Sequence, residues 1–157
     1  KNNIKDRENI LFYEKAIGSI DGTVKFHKVV NGNIGGSSLY RANSQHHYGQ
    51  SYVQEEIEIE CVRGDSFLKQ NSIDQIDLIW MDVQGAEIEV LKSFGNNLEN
   101  IKAIHSEVGL GKIYENSTVK NELIEFMQST GFIVECCLGN DLGIEEDIVF
   151  INEKFLL

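Results

Sequence analysis

Asp82, Gln84 and Glu87 are the side chains best placed for acid–base or hydrogen-bond chemistry, in the run D-L-I-W-M-D-V-Q-G-A-E-I-E-V-L. A carboxylate at Asp82 can orient a hydroxyl, take a proton or bind a cation. Gly85 would let the backbone approach a ligand closely. His105 and Glu107 lie two apart, on one face of any strand that carries them. They add a second carboxylate and a group whose unperturbed pKa is about 6.5. The bland readings stand beside these. Asp82 can cap a helix, Glu87 can complement the helix dipole, and a strand histidine can be a packing residue. A third group, His46, His47, Tyr40, Tyr48 and Tyr52, falls in the aperiodic stretch from Asn31 to Gln54. Such a stretch is either a binding loop or a solvated loop whose aromatics cover a core edge.

Other chemistries find no support. Gly109-Leu110-Gly111 has Tyr114 in place of the third glycine of a dinucleotide fingerprint, and Gly35-Gly36-Ser37-Ser38 lacks the lysine of a phosphate loop. No metal-ligand set has zinc spacing, and no serine or cysteine carries a nucleophile signature. A net charge of -11, with no Lys/Arg cluster, argues against nucleic acid or an anionic membrane surface as the main partner. No run reaches the roughly 18 to 20 apolar residues of a membrane span, and no signal-peptide pattern opens the chain. Cys61, Cys136 and Cys137 form no C-x-x-C pair. They read as small buried hydrophobes in a reducing, cytoplasmic compartment. The chain has no proline, and its start at Lys1 rather than methionine suggests a trimmed or processed chain or a fragment.

At 157 residues, 41% hydrophobic and 25% charged, the chain reads as one domain. Leu78 to Met81 is a continuous apolar run, as in a strand buried on both faces. Ala86, Val90, Leu91 and Phe94 then make one helix stripe. Asp82 therefore falls at the carboxyl end of a strand, where open α/β sheets bind ligands. Upstream, Lys1 to Asn9 reads as the end of a helix. Ile10 to Ile17 and Thr23 to Val29, around Asp21-Gly22, read as a hairpin spanning 10–30, followed by the loop 31–54. An α/β core over 56–157 begins with the half-buried strand Glu56 to Val62, and Asp65 caps a short helix. Ile101 to Val108 is a second buried strand. A helix from about Ser117 carries Val119, Leu123, Phe126 and Met127 and ends at Gly131. Phe132 to Leu138 and Asp147 to Asn152, joined by G-N-D-L-G-I-E-E, form an antiparallel pair beside a parallel sheet.

The Asp82 run resembles the signature of the FkbM family of S-adenosylmethionine-dependent methyltransferases, in which a strand ends in Asp and Glu-Gly-Ala-Glu opens a helix. A-I-G-S-I-D-G-T-V at Ala16 to Val24 is similar to the family's third strand and hairpin. G-G-S-S-L at Gly35 to Leu39 resembles its serine-containing loop, and D-I-V-F-I-N at Asp147 to Asn152 its last strand. Gln84 stands where Glu is common, and Trp80 where Lys is common.

The resemblance covers nearly the whole chain from Ile10. It implies a Rossmann-like class I methyltransferase sheet, of strand order 3-2-1-4-5-7-6, incomplete at its N-terminal side. The first strand, the glycine-rich cofactor loop and the acid closing the second strand would lie before Lys1. It also implies methyl transfer from S-adenosylmethionine to a hydroxyl of a small-molecule acceptor, a sugar or secondary metabolite. Ala16 and Ile17 would form the adenine wall, with Asp82, Gln84 and Gly85 also on the cofactor. Asp82 would orient or deprotonate the acceptor, with His105 as reserve base. Glu87, Glu107, His46, His47 and Tyr48 would face the acceptor. Without strands 1 and 2 the Ile76 strand would bare an edge, closed either by the N-terminal hairpin or by a second copy in a homodimer. The alternative function is an α/β interaction module or inactive remnant that binds no cofactor.

Overall fold

The computed structural model describes residues 8–139 and 143–156. It is a mixed α/β protein with two sheets. Strands β1 (Ala16–Ile17), β2 (Gly22–Asn31) and β3 (Val53–Val62) form one, in the order β1-β3-β2. Strands β4 (Ile76–Met81), β5 (Ile101–Gly109), β6 (Phe132–Gly139) and β7 (Glu145–Asn152) form the other, in the order β4-β5-β7-β6. β4 and β5 are parallel, and β7 runs antiparallel to both of its neighbours. Helices α1 (Gly64–Asn71), α2 (Glu87–Lys92) and α3 (Lys120–Ser129) complete the regular elements.

Alternation in β5 and β7 builds the core. Ile104, Ser106 and Val108 on β5 and Ile148 and Phe150 on β7 are buried on one face, while their neighbours are only partly so. Val90, Leu91 and Phe94 from α2 and Leu123 and Met127 from α3 join the same cluster. Each such fully buried aliphatic or aromatic side chain contributes roughly 1.5–3 kcal/mol.

β4 departs from the sequence reading. Met81 packs inward, but Leu78 and Trp80 are 53% and 74% exposed, so the strand is not buried on both faces. The reason is topological: β4 is the edge of its sheet, paired only with β5 among the described residues.

The N-terminal hairpin is also corrected. β1 pairs parallel with β3 through Ala16 and Ile17, while β2 pairs antiparallel with the other side of β3. β1 and β2 therefore flank β3, and residues 10–15 form no strand. Asp21 does not close a two-residue turn. Its carboxylate accepts from the Arg63 N–H at 2.9 Å and the Ser66 hydroxyl at 2.7 Å, tying this corner to the start of α1. Asp65 is accordingly not the cap of α1; it lies in the first turn, paired with Arg63 at 2.6 Å.

Two further expectations shift. Cys61 is buried, but Cys136 and Cys137 are exposed, because β6 is the other edge of its sheet and everything from Glu135 to Gly139 is open. The helix expected from Ser117 starts at Lys120, since Ser117 and Thr118 are buried in a tie to the β4–α2 turn. The loop 31–54 contains two short 3-10 turns, and β3 begins at Val53. The helix end read into Lys1 to Asn9 and the centre of the β6–β7 loop fall largely on residues 1–7 and 140–142, outside the described residues.

Candidate active site

β4 ends at Met81, and the chain turns through Asp82 to Ala86 into α2. The turn uses left-handed backbone at Gln84 (φ 50°) and Gly85 (φ 99°). For a side chain as long as glutamine this costs roughly 1–2 kcal/mol, and a dense set of hydrogen bonds offsets it. The Ser38 hydroxyl donates to the Gln84 carbonyl at 2.7 Å. The Gln84 amide nitrogen donates to Asp82 Oδ1 at 2.6 Å and to Glu107 Oε2 at 3.3 Å. The Tyr114 hydroxyl donates its one proton to Gln84 Oε1 at 2.6 Å, with the Gly36 carbonyl at 3.0 Å a more distant, competing acceptor. The network fixes which end of the amide is nitrogen, because the reverse would set its oxygen against two carboxylates.

Asp82, Gln84, Glu87, Glu107, Tyr114 and Glu145 line a cleft at the ends of β4 and β5, with an interior of about 10 Å³, room for about one water. Glu87 is 1% exposed; its Oε1 accepts from the Gly85 N–H at 2.8 Å. Its Oε2 is buried without a hydrogen-bond partner among the described residues. Burial first, and then the charge of Asp82, pushes the Glu87 carboxyl up to about 7. Glu107 is likewise raised to about 7, by burial and then by Glu145, Asp82 and Asp147. Glu145 is raised by burial and by Asp82 and Asp147. A cleft whose buried carboxyls are raised by neighbouring carboxylates favours an occupant that donates hydrogen bonds.

A second, larger cavity adjoins the first. A groove of about 720 Å³ runs between the β1 segment and the open side of β4, lined among others by Ala16, Ile17, Phe26, Trp80, Asp82 and Val83. Asp82 thus borders both cavities.

The residues singled out in the sequence therefore divide. Ala16 and Ile17 share the groove with Asp82, while Gln84, Gly85, Glu87 and Glu107 share the cleft with it. Gly85 is needed for a close approach, but to Ser117, whose Cβ would lie 2.5 Å from an added Cβ. His105 stands apart from the cleft lining: its ring centroid is 4.3 Å from that of Trp80, and its Nε2 is 3.4 Å from Asp147. His46 reaches the rim, with Nε2 3.3 Å from where a Cβ on Gly111 would sit. His47 packs edge-on against Tyr48 at 5.3 Å, and neither lines the cleft. Tyr40 donates instead to Glu89 at 2.7 Å.

Sequence reasoning passed over Tyr114 and Glu145. Tyr114 registered only as a missing glycine, although it is 2% exposed and stacks on Tyr52 with centroids 6.1 Å apart. Glu145 was hidden in an acidic loop but is the first residue of β7, opposite Gly109. Among the described residues no three His, Cys, Asp or Glu side chains are arranged to hold a metal ion. No helix among them is long and apolar enough to cross a membrane.

The architecture defines an α/β protein with a carboxylate cleft at the carboxyl ends of two parallel strands. The chain belongs to the FkbM methyltransferase family: residues 1–134 match the methyltransferase FkbM domain. It is 26% identical over 161 residues to the 2-O-methyltransferase NoeI of Sinorhizobium fredii (strain NBRC 101917 / NGR234), an alignment covering 98% of this chain. The chain spans 64% of the length of that curated relative. No solved structure matches it.

Proposed function

We propose that this chain forms the acceptor side and the adenine wall of an S-adenosylmethionine-dependent methyltransferase acting on a hydroxyl of a sugar or secondary metabolite. The observation that carries the reading is the position of Asp82, shared by the carboxylate cleft and the apolar groove. A methyl transfer needs donor and acceptor aligned at one point, and Asp82 is the charged group at that point. Its exposed carboxylate takes the hydrogen bond, and then the proton, of the acceptor hydroxyl at the cleft mouth, with Glu107 beside it, while the buried Glu87 braces the Gly85 turn from behind. The strand order β4-β5-β7-β6 with β7 reversed supports a class I sheet. The name of the relative, a 2-O-methyltransferase, supports oxygen as the accepting atom.

The groove suits one end of the donor. Ala16, Ile17 and Phe26 offer an apolar wall for a purine, and its polar side chains are Lys15, Ser37, the Tyr13 hydroxyl, the Trp80 indole N–H and Asp82. When bound, the donor's sulfonium would supply the methyl group. We assign its ribose and amino-acid ends to the part of a longer protein that this chain, at 64% of its relative's length, does not span. The open β4 edge would pair with a strand from that part or, in this chain alone, with a second copy. Free Cys61, Cys136 and Cys137 support a cytoplasmic setting.

A second reading, an interaction module without cofactor, is favoured by the exposed Leu78 and Trp80. Calorimetry with S-adenosylhomocysteine separates the two. Micromolar binding by the 157 residues is expected on the first reading. Silence from both this chain and a version extended to the relative's full length would establish the second.

A further inference from the structure

We infer that Gln84 is the positioning residue of this site: its amide stands between Asp82 and Glu107, where two neighbouring carboxylates would otherwise call for a cation, and sets which oxygen of Asp82 is offered to the acceptor. The inference rests on the reading of Asp82 given above. One amide nitrogen has two protons and meets two carboxylates, at 2.6 Å and 3.3 Å. The amide is held from three sides. Tyr114, itself buried, fixes the carbonyl end at 2.6 Å, Ser38 fixes the backbone carbonyl at 2.7 Å, and the left-handed φ of 50° aims the side chain back over the strand end. Asp82 Oδ1 is thereby engaged, and Oδ2 is left without a hydrogen bond among the described residues. A glutamate at this position would bring a further negative charge and no donor.

The geometry also separates the roles of the two carboxylates. Glu107 is partly buried among Glu145, Asp82 and Asp147, so the Gln84 donor is one of the few groups there that favours its charged form. Removing that donor has a signature that a merely structural residue would not give.

The test is a carbon-detected NMR titration of the side-chain carboxyls in the intact 157-residue chain, comparing wild type with Gln84→Asn and Gln84→Leu. Asparagine tolerates left-handed backbone but is one methylene too short to bridge, so it serves even if the leucine variant fails to fold. The Glu107 midpoint, at about 7 in the wild type, should rise in both variants. A midpoint that stays in place in a folded Gln84→Asn chain overturns the inference. Failure of the parent reading looks different. An Asp82→Asn enzyme that turns over normally removes Asp82 from the chemistry, whereas the bridge is judged separately, by the shift of the Glu107 midpoint between wild type and Gln84→Asn with Asp82 in place.

Discussion

The hydroxyl of Ser38 lies 2.7 Å from the carbonyl oxygen of Gln84, across 46 residues of sequence. The same Oγ accepts the Tyr40 N–H at 3.0 Å. The Ser38 backbone exchanges both of its hydrogen bonds with His27 of β2, at 2.8 Å and 3.1 Å. One fully buried serine therefore ties the first sheet, the 31–54 loop and the turn carrying Asp82.

Ser38→Ala leaves the Gln84 carbonyl and the Tyr40 N–H without that partner. A buried group stripped of its hydrogen bond costs roughly 1–3 kcal/mol. The urea midpoint should fall by the equivalent amount with an unchanged m-value. A midpoint equal to wild type would mean that the loop is held by other contacts.

Glu87 makes stability depend on pH with a definite sign. Its folded-state value of about 7 lies above the ordinary 4.5, so the folded chain holds the proton more tightly than the unfolded chain. That contribution is whole below about 4.5 and is lost as pH rises through about 7. Glu107 and Glu145 are raised too and act in the same direction. Wild type should thus be more stable to urea at pH 5.5 than at pH 8. Glu87→Gln, which mimics the protonated form, should flatten the difference by up to about 2 kcal/mol. An equally steep loss in the variant would show that the buried carboxyl is not its source.

How far the sequence disclosed this site depends on the range of each contact. The β4–α2 unit, the burial of Ala86, Val90, Leu91 and Phe94 and the position of Asp82 follow from local periodicity, as does the alternation of β5. The antiparallel β6–β7 pair was readable for the same reason. The placing of β3 between β1 and β2 was not, because pairing partners are chosen by tertiary geometry and a turn dipeptide such as Asp21-Gly22 can be captured by a distant helix end. The Gln84 bridge was equally hidden: its partners Ser38, Glu107 and Tyr114 come from three separate stretches of chain. Exposure of Cys136 and Cys137 reflects which strand ends up at a sheet edge, a property no residue carries by itself.

The same edge logic applies to β4 and can be measured. An unpaired strand edge with apolar side chains beside it is a template for another strand, and Leu78 and Trp80 are 53% and 74% exposed there. Pairing of β4 with β4 of a second copy would continue the sheet across a two-fold axis. The 157-residue chain should therefore scatter light as a dimer, with the Leu78 to Met81 amides protected from hydrogen exchange. Trp80 is the chain's one tryptophan, so its emission should shift to the blue as concentration rises. Leu78→Lys places a charge on this face and should return the protein to a monomer with free exchange and red-shifted emission. A wild-type monomer whose β4 amides exchange freely at high concentration would rule out self-pairing and leave the edge to a strand from elsewhere in a longer protein.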